Sequence, residues 1–192
     1  FIFTCISEKK VILKNIICCI LNMCGIIALF GEEVENSSHL LTHRGPDDFQ
    51  TKTLGKCRMD FYRLSINDLT DAGMQPFREG KHMLVCNGEI YNHRELRTGS
   101  EKSTSDCAVL IPLIRKTGIM NVVKQINGDF ALVITDGKRI IAARDPVGVR
   151  PLFYTRYAED SIAFASEAKA LLRLGAKIEI FPPGHIYDSY LD

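Results

Sequence analysis

Apolar residues in this chain come in short runs closed off by glycine, proline, asparagine or aspartate, the signature of buried strands separated by turns. "CGIIALFG" (24–31), "HMLVCNG" (82–88) and "DFALVITDG" (129–137) are continuous apolar runs of strand length. The last turns through Asp136-Gly137 into "KRIIAARD" (138–145), and Asp-Gly between two apolar runs is a strong hairpin signal. "PLFYT" (151–155) and "SIAFAS" (161–166) predict a further strand pair joined through "RYAED".

The period changes between Thr104 and Gly118. There Val109, Leu110, Leu113 and Ile114 fall on one face at helical spacing, Thr104 or Ser105 can cap the start, and Gly118 can end it. Pro112 interrupts this helix; inside a helix it removes a hydrogen bond at a cost of roughly 3 kcal/mol, so a kink or a shorter helix is expected. "IMNVVKQI" (119–126) and "SEAKALLRL" (166–174) predict two more short helices. Antiparallel strands with helices in separate blocks give an α+β layered domain, not a parallel βαβ one. No repeat, low-complexity tract or linker divides residues 23–192, which read as one domain.

Composition narrows the class. At 192 residues and 46% hydrophobic the chain can bury one sizeable core, and a second full domain would be cramped. Formal net charge is +1, unevenly spread: residues 1–22 hold Lys9, Lys10 and Lys14 against Glu8, a balance of +2, which leaves −1 for residues 23–192. A slightly acidic body without a basic stripe argues against a nucleic-acid or anionic-membrane surface. Of the seven cysteines, Cys5, Cys18 and Cys19 lie in the first 22 residues, and Cys24, Cys57, Cys86 and Cys107 show no Cys-x-x-Cys spacing. Free thiols in a reducing, cytoplasmic compartment are expected.

Residues 1–22, "FIFTCISEKKVILKNIICCILN", carry no initiator methionine, and Lys14-Asn15 break their apolar run. They have no small-residue cleavage site and fall short of the ~20 unbroken apolar residues that span a bilayer. They are expected to be a disordered leader foreign to the native domain, translated from A/T-rich sequence upstream of a start at Met23.

If Met23 is the initiator and is removed, Cys24 becomes the first residue. It then carries its nucleophilic sulfur and a free α-amine, a group that ordinarily titrates at roughly pH 8, on the same Cα. The amine can take the thiol proton directly or through water, so nucleophile and base share one residue. By contrast, His39 and His43 sit four apart in "HLLTH", as zinc ligands on a helix can, but no third ligand cluster follows and metal binding is not expected.

After "MCGI" come, in order, "HRGPDD" (43–48), "RLSIND" (63–68), "NGEIYN" (87–92), "SD" (105–106), "RDPVGVRPLF" (144–153), "SEAKALL" (166–172) and "FPPGH" (181–185). This series resembles the glutaminase domain of class II glutamine amidotransferases, which are N-terminal-nucleophile hydrolases. Through "NGEIYN", "RLSI" and "SEAKALL" it is most similar to that domain of glutamine-hydrolysing asparagine synthetases. The resemblance covers essentially residues 23–192 and implies a four-layer αββα sandwich of two antiparallel sheets.

It also implies roles. Cys24 is the nucleophile; Asn87, through its side-chain amide, and Gly88, through its backbone N–H, form the oxyanion hole. Arg63 pairs with the glutamine carboxylate through its guanidinium fork, and Glu89 and Asp106 receive the ammonium group. Leu64, Ser65, Ile66 and Asn67 complete the glutamine site. The glutaminase step needs no metal or cofactor. ATP and Mg2+ belong to a synthetase domain that activates aspartate; that domain is not within residues 23–192 and is expected as a partner domain or subunit, with a homodimer left open.

The chain departs from the family pattern at Tyr62, where histidine is common, at Asn67, where an apolar residue is usual, and at Ala108, where an acid is common. It is also short between "NHREL" and "SD". These departures bear on substrate affinity and loop order, not on the class of chemistry. A self-standing amidase and an inert binding or regulatory module are the alternative readings.

Overall fold

The computed structural model describes residues 23–175 and 177–191. The expected leader, residues 1–22, lies outside them. One sheet contains β1 (Gly25–Phe30), β2 (Asp48–Leu54), β3 (Cys57–Arg63), β8 (Phe153–Ala158), β9 (Ser161–Ala165) and β10 (Glu179–Ile180), in the order β10-β8-β9-β1-β3-β2. The other contains β4 (Phe77–Glu79), β5 (His82–Ile90), β6 (Gly128–Thr135), β7 (Ile140–Arg144) and β11 (Ile186–Asp188), in the order β11-β7-β6-β5-β4. Every pairing is antiparallel.

Strand alternation explains the layers, because successive side chains point to opposite faces. Ile26, Ala28 and Phe30 of β1 and Met83 and Val85 of β5 meet between the sheets, with Ala131 and Val133 of β6. Ile27 and Leu29 point the other way, onto 3-10 turns at Ser38–Leu41 and Ala168–Leu174. A one-turn helix, α1 (His93–Leu96), follows β5. Leu84, Leu132 and Ile134 point out of the second sheet onto the helices α2 (Leu110–Thr117) and α3 (Ile119–Gln125). The result is the expected four layers, with one outer layer 3-10 instead of α-helical.

The differences from the sequence reading have local causes. Pro112 is the third residue of α2, in the first turn, where its missing N–H has no intrahelical acceptor to lose. The helix therefore begins at Leu110 instead of Thr104, and Asp106–Val109 form a 3-10 turn that Ser105 flanks without a side-chain cap bond. Gly118, at φ 78°, does end α2, its N–H reaching the Ile114 carbonyl at 2.9 Å. "SEAKALLRL" gives a 3-10 turn over Ala168–Leu174. The β2–β3 hairpin had no counterpart in the pattern because β2 is an edge strand of polar composition with one exposed face; its loop is Gly55-Lys56, with Gly55 at φ 56°. All four described cysteines are free thiols, and among the described residues no helix is long and apolar enough to cross a membrane.

Candidate active site

The start of β1 and the ends of β3 and β5 come together at one end of the sandwich, where Gly25 pairs with Tyr62 and β5 faces β1 across the core. They enclose a cavity of about 290 Å³. All the site residues expected from the sequence line it except Ser65, whose N–H is tied to the Asp47 carboxylate at 2.7 Å.

Cys24 stands at the inner wall, half-buried. Its Sγ accepts the Leu64 N–H at 3.3 Å, and Arg44 Nε donates to its carbonyl at 3.2 Å. Burial pushes the thiol above its ordinary range, only partly offset by the Leu64 N–H and by the charges of Arg150 and Arg44. A thiol so placed is protonated near neutrality and needs a base, yet the hydrogen bonds of Sγ go to the Leu64 main chain and to no histidine or carboxylate among the described residues.

Arg63 is 5% exposed and spends two donors on backbone carbonyls, Nη1 on Thr70 at 3.0 Å and Nη2 on Asp68. No carboxylate among the described residues pairs with it. The absence of a side chain at Gly73 makes room for the guanidinium: a Cβ there would lie 2.8 Å from Nη2. Asp106, 4% exposed, accepts the Ile90 N–H at 2.7 Å and Asn67 Nδ2 at 3.2 Å, and no cation pairs with it among the described residues. Buried charges are ordinarily paired, so one cavity holds an open guanidinium and an open carboxylate. Glu89 lies exposed at the rim.

Asp68 joins these two poles. It sits in the left-handed region at φ 50°, which aspartate tolerates better than most residues. Its carbonyl holds Arg63, while its carboxylate accepts Ser103 Oγ at 2.7 Å and the Thr104 N–H at 2.8 Å, just before Asp106. Hydrogen bonds from the Thr70 and Ser103 hydroxyls hold that carboxyl far below the usual range. The short segment before "SD" is fixed as well, with Arg97 donating to the carbonyls of Ser103, Thr104 and Ser105.

In the same cavity as Cys24, Asn87 is 1% exposed and its Nδ2 has no hydrogen-bond partner among the described residues. An orphaned buried amide donor costs about 1–3 kcal/mol, and here it lines the cavity. Gly88 must be glycine, since a Cβ would overlap the Asp129 carbonyl oxygen across the β5–β6 ladder.

Three further residues shape the site without having been assigned a role from the sequence. Gln75 substitutes for a strand partner beside β5, its Oε1 accepting the Cys86 N–H at 2.6 Å and its Nε2 donating to the Cys86 carbonyl at 3.1 Å. Arg150 reaches the cavity from the loop after β7, held by the Asp129 carboxylate. Asp145, 1% exposed, shapes that loop: its carboxylate accepts the N–H groups of Val147, Gly148, Val149 and Arg150 at 2.6–3.1 Å. The run "RDPVGVR" was the available signal, an aspartate followed by a glycine-containing turn that ends in a cation.

A family profile described as a glutamine amidotransferase domain matches residues 18–185. This chain belongs to the glutamine amidotransferase family. It is 39% identical over 184 residues to glutamine-hydrolysing asparagine synthetase 3 of Arabidopsis thaliana, and 37% identical over 188 residues to glutamine-hydrolysing asparagine synthetase 1 of Saccharomyces cerevisiae. These alignments take in 87% and 88% of this chain but 32% of each relative, so this amidotransferase domain spans about a third of their length. In fold it is similar to the glutamine phosphoribosylpyrophosphate amidotransferase of B. subtilis, with a TM-score of 0.75 at 23% identity over 86% of this chain and 47% of that one.

Proposed function

We propose that this domain hydrolyses glutamine to glutamate and ammonia with Cys24 as an N-terminal nucleophile, and that the ammonia feeds a synthetase domain or subunit that makes asparagine with ATP and Mg2+. The observation that carries the reading is the single cavity in which an open guanidinium and an open carboxylate flank a thiol and a partnerless amide donor. An α-amino acid with a neutral side-chain amide complements each of these.

In this reading Arg63 pairs with the substrate carboxylate, and Asp106, with Glu89 at the rim, takes the ammonium. The α-amine of Cys24 takes the thiol proton, and the thiolate attacks the carboxamide carbon. Asn87 Nδ2 and the Gly88 N–H receive the developing oxyanion, where a preorganised donor is worth about 2.7–4 kcal/mol. Ammonia leaves, and water hydrolyses the glutamyl thioester to glutamate.

The base has to be generated, because with Met23 attached the nitrogen of Cys24 is an amide. Met23 also lines the cavity, its Sδ against Arg150 Nη1. A chain beginning at Cys24 is therefore expected to release glutamate and ammonia from glutamine, and the 192-residue chain with Met23 in place to be nearly inactive. Equal rates from the two would overturn the assignment of the amine as base. Asparagine formation from aspartate, ATP and glutamine on adding a synthetase polypeptide tests the destination of the ammonia.

A further inference from the structure

We propose that Glu167 is a positioning residue for the nucleophile, acting through Arg44 on the main chain of Cys24. Arg44 is 6% exposed; its Nε donates to the Cys24 carbonyl at 3.2 Å and its Nη1 to Glu167 Oε1 at 3.0 Å. Both ends of this relay are anchored to strands beside the cysteine. Glu167 follows Ser166, whose Oγ accepts the Ile26 N–H at 3.0 Å and whose N–H donates to the Ile26 carbonyl at 3.0 Å. Arg44 precedes Gly45, where a side chain would overlap the Tyr62 carbonyl.

The chemistry explains why such a relay matters. A cysteine that begins a chain has no preceding peptide to fix it, and its amine and sulfur both take part in the reaction. Its carbonyl is the remaining handle, and fixing that carbonyl sets the torsion that aims amine and sulfur together. His43 Nε2 meets the same Glu167 Oε1 at 2.9 Å, and Lys169 Nζ clamps Oε2 on the other side at 2.9 Å. Among the described residues, these groups and Arg44 are the charged or titratable side chains that meet its carboxylate.

The kinetic test rests on the glutaminase reading; a second readout does not. In the chain beginning at Cys24, Glu167→Ala should lower kcat for glutamine hydrolysis about 100-fold, the scale of an ångström misplacement, with KM unchanged because Arg63 and Asp106 hold the substrate. Glu167→Gln, which keeps an acceptor but no charge for Arg44, should retain about a tenth of wild-type kcat, and it replaces the alanine variant if that one fails to fold. Arg173→Ala, on the same turn but paired with Glu35 at the surface, should turn over at the wild-type rate. Wild-type kcat in every Glu167 variant that folds, a KM rise matching the kcat loss, or an equal loss in Arg173→Ala would overturn the proposal. In the same chain beginning at Cys24, alkylation of Cys24 by iodoacetamide, read by peptide mapping, should require a higher pH in Glu167→Ala than in wild type. An unchanged profile would also overturn it. A wild-type chain that releases no glutamate, with the alkylation profile still shifted in Glu167→Ala, would sink the glutaminase reading and leave the positioning role standing.

Discussion

Cys24 and Cys57 mark opposite ends of one pair of strands. Gly25 faces Tyr62 where β1 begins, and Phe30 faces Cys57 where it ends. Cys57 is fully buried between the sheets, and burial pushes its thiol up to about 12. Cys24 is also raised, but it has a backbone N–H on its sulfur, two arginines near it and a cavity in front. The same side chain, on the same two strands, is packing material at one end and candidate nucleophile at the other. Reactivity follows from what the strand ends present, not from cysteine content.

The comparison breaks most sharply under substitution. Cys24→Ala should abolish glutamate release, whereas Cys57→Ala should leave turnover unchanged and cost about 1 kcal/mol of stability by chemical denaturation; retained turnover in the first would remove Cys24 as nucleophile. Next in size, Asn87→Ala should lower kcat by about 10²–10³-fold in steady-state assays. Arg63→Lys loses the fork geometry and should raise KM for glutamine about tenfold or more, with kcat little changed. A gentler probe is the alkylation of native protein across pH: Cys24 should react progressively from neutral pH upward, and Cys57 should stay protected below about pH 10 until denaturant exposes it.

The smallest expected effect concerns acid stability. Burial alone would raise the Glu167 carboxyl, but hydrogen bonds from Lys169, Arg44 and His43 hold it below 4.5. Since the folded value is depressed, its contribution is fully present above about pH 4.5 and is lost as pH falls through the folded value. Glu167→Gln should therefore flatten the unfolding curve below about pH 4.5 and leave it nearly parallel to wild type above.

What the sequence showed, and what it hid, follows from range. The apolar strands β1, β5, β6, β7 and β9 were legible because each buries both faces, and Gly118 was legible as a helix end because its conformation is local. β2 was not, since half of it faces solvent. Cys24, Arg63, Asn87 and Asp106 stood out through motif order, and the cavity gathers them. Asn67 shows the limit. Its identity departs from the family pattern, and only the fold reveals that its side chain reaches Asp106, 39 positions away. Gln75 and Glu167 likewise act through partners that no local pattern names.

Asp68 gives the cavity a property that neither of its charges has alone. Because one residue grips both the arginine and the segment carrying Asp106, the two poles form a gauge of fixed length. With Arg63 and Asp106 in the substrate-binding roles proposed above, such a gauge would measure the distance between carboxylate and ammonium before any side chain is inspected. A β-amino acid with the correct amide but its poles one methylene further apart should therefore be refused at the entrance, and loosening Asp68 should make the domain less exacting about the backbone of what it admits.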